Sequence, residues 1–235
     1  MPTAIPETIQ EFQINLSDAA AQRPLLAVEA SRIFARWANV EHLLETMASV
    51  LLGDLTAMFL LDQLKSRNQK LSGIEVAVEN KISHPETKAL LKKLFKLINS
   101  AAVGRNELAH CLWGTIDQLP NDLLLLNPKA ALKAARLLMQ TDGESRTEAP
   151  DKENISYSHS VDTRYDAAVE IIETIREGTR VWRHEDFDQP LRLLNFSLTA
   201  LTQYTIAISD DPDASGPRQA RAHLTKLLSD AEQLN

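Results

Sequence analysis

Two long segments with a helical period of apolar residues constrain the fold of this chain more than any other feature. They run over residues 24–53 and 83–113, and both repeat apolar side chains every three or four positions. Ser83 and Glu86 have capping-box spacing at the start of the second segment. Seven glycines and 5% aromatic residues in 235 residues are unlike a β-sandwich. We therefore predict an all-α fold, an antiparallel helical bundle.

Shorter helices are predicted around these two. We expect them over residues 54–82, with a break or kink at Gly73, and over residues 130–139, 163–184, 190–208 and 217–235. The segments LLLL at 123–126 and ISYSHSV at 155–161 favour short strands, so a small β-hairpin between them is predicted.

The predicted domain organisation is a single helical domain over residues 20–208, with a polar loop at about 140–154. Prolines near the start oppose helix formation, so residues 1–19 are predicted to be a flexible lead-in. An acidic linker over residues 209–216 leads to an extra amphipathic C-terminal helix, residues 217–235, which suits docking on the bundle or on a partner.

Composition excludes several classes of protein and of site. A net charge of −7 argues against a broad surface that coats nucleic acid, but not against a small phosphate site. Cys111 is the only cysteine, and the histidines have no metal-ligand spacing, so we predict no metal and no cofactor. The chain has no leader-like N-terminus and no apolar run near the roughly 18 residues of a membrane span, so we expect a cytoplasmic protein without membrane contact.

Two charged residues interrupt the apolar stripes of the long segments. Arg105 occupies a position in the series Leu94, Ile98, Ala101, Leu108 and Leu112, and Glu41 occupies one in the series Phe34, Trp37, Leu44, Ala48 and Leu51. A lone buried charge is costly, so the two are predicted to face each other inside the bundle. The alternative is that both side chains extend to the rim and are solvated.

His110 follows Arg105 by five positions, about 140° around a straight helix. Either the helix distorts near Gly104, or His110 meets its partners from another helix or another subunit. The alternative is a histidine whose ring is satisfied by a neighbouring carbonyl group.

The segment RNELAH, with Arg105, Asn106 and His110, resembles the Rx4-6H motif of the HEPN superfamily, in which a polar residue commonly follows the arginine. Glu41 on the first long helix fits this resemblance, which covers residues 24–114. Many HEPN proteins are metal-independent endoribonucleases that act as homodimers, with two motifs meeting across the interface. The resemblance thus implies a HEPN-like bundle, an RNA substrate and a toxin or phage-defence setting, with a protein partner such as an antitoxin.

The implied chemistry suits these side chains. Histidine titrates near neutrality and can move protons, while arginine offers a fixed fork to phosphate oxygens. Asn106 is expected to orient the phosphate or His110, and Glu41 to hold Arg105 in position.

Two features of the sequence remain open to a second interpretation. Lys88, Lys92 and Lys96, with Lys93, form a basic edge that is a candidate RNA contact, or else an ordinary solvated face. The whole protein is either the nuclease or a catalytically inactive HEPN-like scaffold or partner-binding module. In that module Arg105 and Glu41 form a structural ion pair and His110 is incidental.

Overall fold

The computed structural model describes residues 2–144, 158–208 and 215–233. These residues form mainly α-helices, with one small three-stranded sheet, which confirms the predicted all-α class with a minor β element. The helices are α1 (Ala19–Gln22), α2 (Pro24–Leu52), α3 (Asp54–Gln63), α4 (Arg67–Lys81), α5 (Pro85–His110), α6 (Pro128–Glu144), α7 (Ser158–Glu177), α8 (Asp188–Ala207) and α9 (Ser215–Glu232). The strands are β1 (Leu112–Gly114), β2 (Leu123–Leu126) and β3 (Thr179–Trp182), and a 3-10 helix spans His184–Phe187.

The chain divides into two compact units, where a single domain over residues 20–208 was predicted. The sheet unit comprises Met1–Val28 and Glu107–Asp186, and the bundle unit comprises Glu29–Asn106 and Phe187–Asn235. Each unit combines two separate segments. Helical periodicity reports which face of a helix is buried but not which segments share a core, so it does not predict this division.

The sheet of the sheet unit is antiparallel, in the order β1-β2-β3, with Leu124 of β2 opposite Gly114 and Val181. All four leucines of β2 are buried. Strand β2 was predicted. The prediction that it pairs with a strand at 155–161 is wrong, because the chain is helical from Ser158 onward. Residues 155–157 lie outside the described residues. A strand buried along its whole length needs neighbours on both sides, and the segments LWG and TRVW provide them.

The N-terminal segment is tied to this sheet. Thr3 forms an antiparallel bridge with Val181, and Asn15 forms one with Thr115. Ile5 is buried in one cluster with Ile116, Leu124 and Val181. The predicted flexible lead-in over residues 1–19 is therefore wrong for this stretch. Proline excludes a helix there, but an extended segment can still satisfy the unpaired backbone groups at a sheet edge.

Gly178 joins α7 to β3 at a position with no room for a side chain. A Cβ atom there would lie 2.2 Å from the Cβ of Ala130 and 3.1 Å from the carbonyl oxygen of Thr174. We expect Gly178→Ala to lower the free energy of unfolding by about 1–3 kcal/mol, since the backbone must shift to relieve the clash. The midpoint of urea denaturation measures this.

Gly216→Ala in α9 is the matched control, because a Cβ at Gly216 meets no atom within 4 Å. Its stability is expected to remain equal or to rise, by up to about 1 kcal/mol from helix propensity. Equal denaturation midpoints for the Gly178 variant and the wild type would contradict the tight contact.

The bundle unit contains most of α2 and α5 together with α3, α4, α8 and α9. The long helices were predicted within a few residues of their observed ends, although α5 ends at His110 rather than Trp113. The C-terminal helix is confirmed as α9, which packs on α8 and buries Leu224 and Leu228. Of the predicted linker, residues 209–214 lie outside the described residues, and residues 215–216 are helical.

Three more boundaries differ from the prediction. The helix expected over residues 163–184 is α7, which ends at Glu177, and β3 and the 3-10 helix follow it. The break expected at Gly73 lies instead at residues 64–66, where Ser66 and Gln69 form a capping box at the start of α4. Gly73 lies inside α4. A Cβ atom at this position would lie 3.0 Å from a methyl group of Leu64, so the glycine allows the close packing of this side chain. Helix α6 continues to Glu144, so residues 140–144 of the predicted loop are helical; the rest of that loop lies outside the described residues.

Candidate functional site

Two arginines converge on one buried tryptophan in the bundle unit. Trp37 of α2 is 4% exposed. The guanidinium carbon of Arg67 lies 5.7 Å from its ring centroid, and that of Arg105 lies 6.0 Å from the same point. Both distances allow cation–π attraction, and we call Arg67 and Arg105 the arginine pair. Arg67 is the first residue of α4, because Ser66 is the N-cap of that helix. Arg105 belongs to α5.

The arginine pair is only partly satisfied by the protein. The Nε atoms of both side chains are buried and have no hydrogen-bond partner among the described residues. Arg105 donates one hydrogen bond, from Nη1 to Oδ1 of Asn106 at 3.3 Å. None of the ion pairs within 4 Å in the described parts of the chain includes either arginine. Both guanidinium groups therefore retain donors for an anion.

The electrostatics of the pair reflect two like charges held close together. The pKa of Arg67 is lowered from its ordinary value, first by burial and then by the charge of Arg105, while Glu41 acts in the opposite direction. A second cation and a partly buried environment both disfavour the charged form of a base. An anion bound beside the two guanidinium groups would offset the repulsion between them.

Glu41 does not occupy the buried position that was predicted for it. Its side chain is exposed, one helical turn after Trp37, while Arg105 is half-buried. The carboxylate influences Arg67, a residue that sequence reasoning did not single out. An exposed carboxylate remains hydrated. Burying it opposite a single arginine would cost the free energy of that hydration.

Asn106 and His110 lie on a different face of α5 from Arg105. The helix is continuous from Pro85 to His110, so it does not break at Gly104. Residues 92, 96, 99, 103, 106 and 110 follow spacings of four and three and therefore share one face. The side chains on this face are exposed, except for half-buried Asn106, and His110 is exposed at the last residue of the helix. Arg105 belongs instead to the stripe whose other members within α5, Leu94, Ile98, Ala101 and Leu108, are buried.

A groove of about 700 Å³ runs between α4 and α5 in the bundle unit. Its polar lining consists of amide, hydroxyl and ammonium groups and one carboxylate, contributed by Asn68, Ser72, Glu75, Lys92, Lys96, Asn99 and Ser100, and its apolar lining of Leu71, Phe95 and Val103. Two of the three lysines predicted to contact RNA thus lie along this groove. The third, Lys88, is engaged elsewhere, since its Nζ lies 2.9 Å from the carboxylate of Glu79 and 2.8 Å from the carbonyl oxygen of the same residue.

Cys111 has the wrong protonation for a nucleophile. Its side chain is half-buried, and burial, with a further contribution from Glu107, raises the pKa of the thiol. The thiol is therefore the dominant form at neutral pH, and the thiolate is the reactive species. The neighbouring Trp113 donates a hydrogen bond from Nε1 to the carbonyl oxygen of Leu108 at 2.7 Å, which fits a packing role.

Of the predicted site residues, the structure brings Arg105 and Asn106 into contact and adds Arg67 and Trp37. Arg67 was missed because the helix was expected to continue through residue 66. The sequence does contain a signal for it, since Ser66 and Gln69 have capping-box spacing and place Arg67 at a helix start. Within the described residues, no group of three metal-ligating side chains comes together, and no helix is long and apolar enough to span a bilayer.

Comparison of the chain with family models, with curated proteins and with solved structures finds no match.

Proposed function

We propose that this protein is a metal-independent endoribonuclease of HEPN type that acts as a homodimer, with Arg105, Asn106 and His110 as its catalytic residues. The observation that supports it best is the state of Arg105, which is half-buried, bonded to Asn106 and not engaged in any ion pair within 4 Å in the described part of the chain. An arginine held in this way is prepared for phosphate oxygens rather than for a carboxylate of the fold. His110 lies five residues further along the same helix and is exposed.

The reaction is an internal transfer at phosphorus. The 2′-oxygen of a ribose bonds to the adjacent phosphorus while the bond from phosphorus to the 5′-oxygen breaks. The products are a 2′,3′-cyclic phosphate and a 5′-hydroxyl group. One imidazole accepts the proton of the 2′-hydroxyl, and a second imidazole supplies a proton to the departing 5′-oxygen. In a homodimer the two copies of His110 provide both groups, and Arg105 stabilises the charge that develops on the phosphorane oxygens.

The inactive scaffold is the less well supported alternative. The scaffold requires a structural ion pair between Arg105 and Glu41. Glu41 is exposed, and none of the ion pairs within 4 Å among the described residues links it to Arg105. From the family resemblance alone, the biological setting that we propose is a toxin or phage-defence system, with an antitoxin-like protein partner.

The test is cleavage of a mixed pool of single-stranded RNA by the purified protein in the presence of EDTA. We expect fragments with 2′,3′-cyclic phosphate and 5′-hydroxyl ends, and no cleavage of the same sequences carrying 2′-O-methyl groups. Light scattering under the same conditions is expected to report a dimer. A folded dimer that cuts no RNA in the pool, or cleavage that needs an added metal ion, would contradict the proposal.

A further inference from the structure

We infer that the arginine pair is a binding site for one phosphodiester group of single-stranded RNA, shared between Arg67 and Arg105. Arg67 is then a substrate-binding residue in addition to the three of the motif. The identity of the ligand as RNA rests on the proposed function, whereas the anion site itself rests on the geometry of the bundle unit.

Both arginines of the pair lie beside one aromatic ring and use few of their donors. Both guanidinium carbons lie within about 6 Å of the ring centroid of Trp37, and the charge of Arg105 acts on Arg67. Their Nε atoms are buried, so an anion would reach the Nη groups, of which the described residues engage Nη1 of Arg105, with Asn106. Arginine favours two parallel hydrogen bonds to phosphate oxygens, so the two groups suit a phosphate.

The net charge at the arginine pair also favours an anion. Two guanidinium groups and the one carboxylate that acts on Arg67, Glu41, leave a net charge of about +1 at this cluster. The single charge of Glu41 does not neutralise the two arginines. Its carboxylate is exposed, and among the described residues it forms no ion pair within 4 Å with either arginine. A phosphodiester carries a single negative charge, which matches the remainder.

The groove between α4 and α5 favours a strand over a free phosphate ion. Asn68 follows Arg67 directly and lines this groove, which continues to Lys92. On α5 the lining runs from Lys92 to Val103, eleven steps along the helix or about 16 Å. A stacked strand rises about 3.4 Å per nucleotide along its axis, so a groove of this length accommodates several nucleotides. Lys92 and Lys96 offer contacts to the backbone of the strand, and the lining also contains the carboxylate of Glu75.

The experiment measures binding separately from cleavage. A fluorescent 2′-O-methyl RNA oligonucleotide, which cannot form the cyclic phosphate, is titrated with the full chain and followed by anisotropy at several salt concentrations. Arg67→Gln is expected to weaken binding about tenfold or more, the loss typical of a charged hydrogen bond. The slope of log affinity against log salt should also become less steep by up to about 0.7. The matched control is Arg192→Gln on the exposed surface of α8, expected to change affinity less than about twofold.

Two further variants test whether the arginines share one phosphate. Arg67→Lys keeps the charge but loses the fork, so an intermediate loss of affinity is expected. The double variant Arg67→Gln/Arg105→Gln should lose less affinity than the product of the two single losses, because both residues contact the same group. Losses that multiply would overturn the shared site. Circular dichroism establishes that each variant is folded.

The remaining outcomes separate this inference from the proposed function. If the wild type binds the oligonucleotide through Arg67 but cleaves no RNA, the inference stands and the nuclease proposal fails. If the wild type cleaves RNA and Arg67→Gln binds as tightly as the wild type, the inference fails and the nuclease proposal stands. Inorganic phosphate that binds as tightly as the oligonucleotide would limit the site to small phosphates and overturn the RNA assignment.

Discussion

His110→Ala is expected to reduce the rate of RNA cleavage by about 10²–10⁴-fold, the usual contribution of a general acid or base. The side chain is exposed at the last residue of α5, so its removal leaves no cavity and should change stability little. Affinity for a 2′-O-methyl oligonucleotide is expected to remain within about twofold, since the arginine pair is intact. Single-turnover cleavage and anisotropy on the same preparation measure the two effects.

Cys111→Ser is the matched control for this variant. Cys111 adjoins His110 in the chain, and its raised pKa makes it an unreactive thiol. The serine variant should therefore cleave RNA at the wild-type rate. Unchanged cleavage by His110→Ala would remove the imidazole from the mechanism, and loss of activity in Cys111→Ser would point to the thiol instead.

Trp37→Ala is expected to have the largest effect on stability, a loss of roughly 3–5 kcal/mol in the free energy of unfolding. The indole is 4% exposed and lies on the α2 stripe that contains buried Val40 and Leu44. Its removal also takes away the aromatic surface beneath both guanidinium groups. We therefore expect weaker RNA binding in addition to a lower midpoint of urea denaturation.

Trp37→Phe separates the two roles of this residue. A phenyl ring keeps most of the packing and a weaker attraction for the cations, so the loss of stability should be well below that of Trp37→Ala. RNA affinity of the phenylalanine variant is expected to lie between those of the wild type and Trp37→Ala. A stability of Trp37→Ala equal to that of the wild type would contradict the assignment of this ring to the core.

The unpaired state of the arginine pair has a physical cost that bears on function. Two like charges held near each other in a partly buried place destabilise the fold, and such perturbed groups are frequent at functional sites. The donors that Arg67 and Arg105 leave unused are therefore expected to contribute to binding of an anion.

The features that could be predicted from the amino-acid sequence are those that depend on local periodicity and local chemistry. Helices α2 and α5 were predicted nearly to their ends, because a 3.6-residue repeat of apolar side chains depends only on the helix itself. The same repeat identified Arg105 as a charged residue in an apolar stripe. It left open whether the helix distorts near Gly104, and the continuous helix α5 puts Asn106 and His110 one turn apart on another face.

The contacts between distant segments could not be predicted from local patterns and are known from the folded structure. The partners of β2 lie on either side of it in the chain, and the N-terminal residues pair with the sheet although their prolines suggested disorder. Arg67 entered the site because α4 begins at residue 67 and because α2, α4 and α5 each supply a residue at Trp37. Strand pairing and the convergence of charges result from contacts between residues far apart in sequence, whose free energy no local pattern contains.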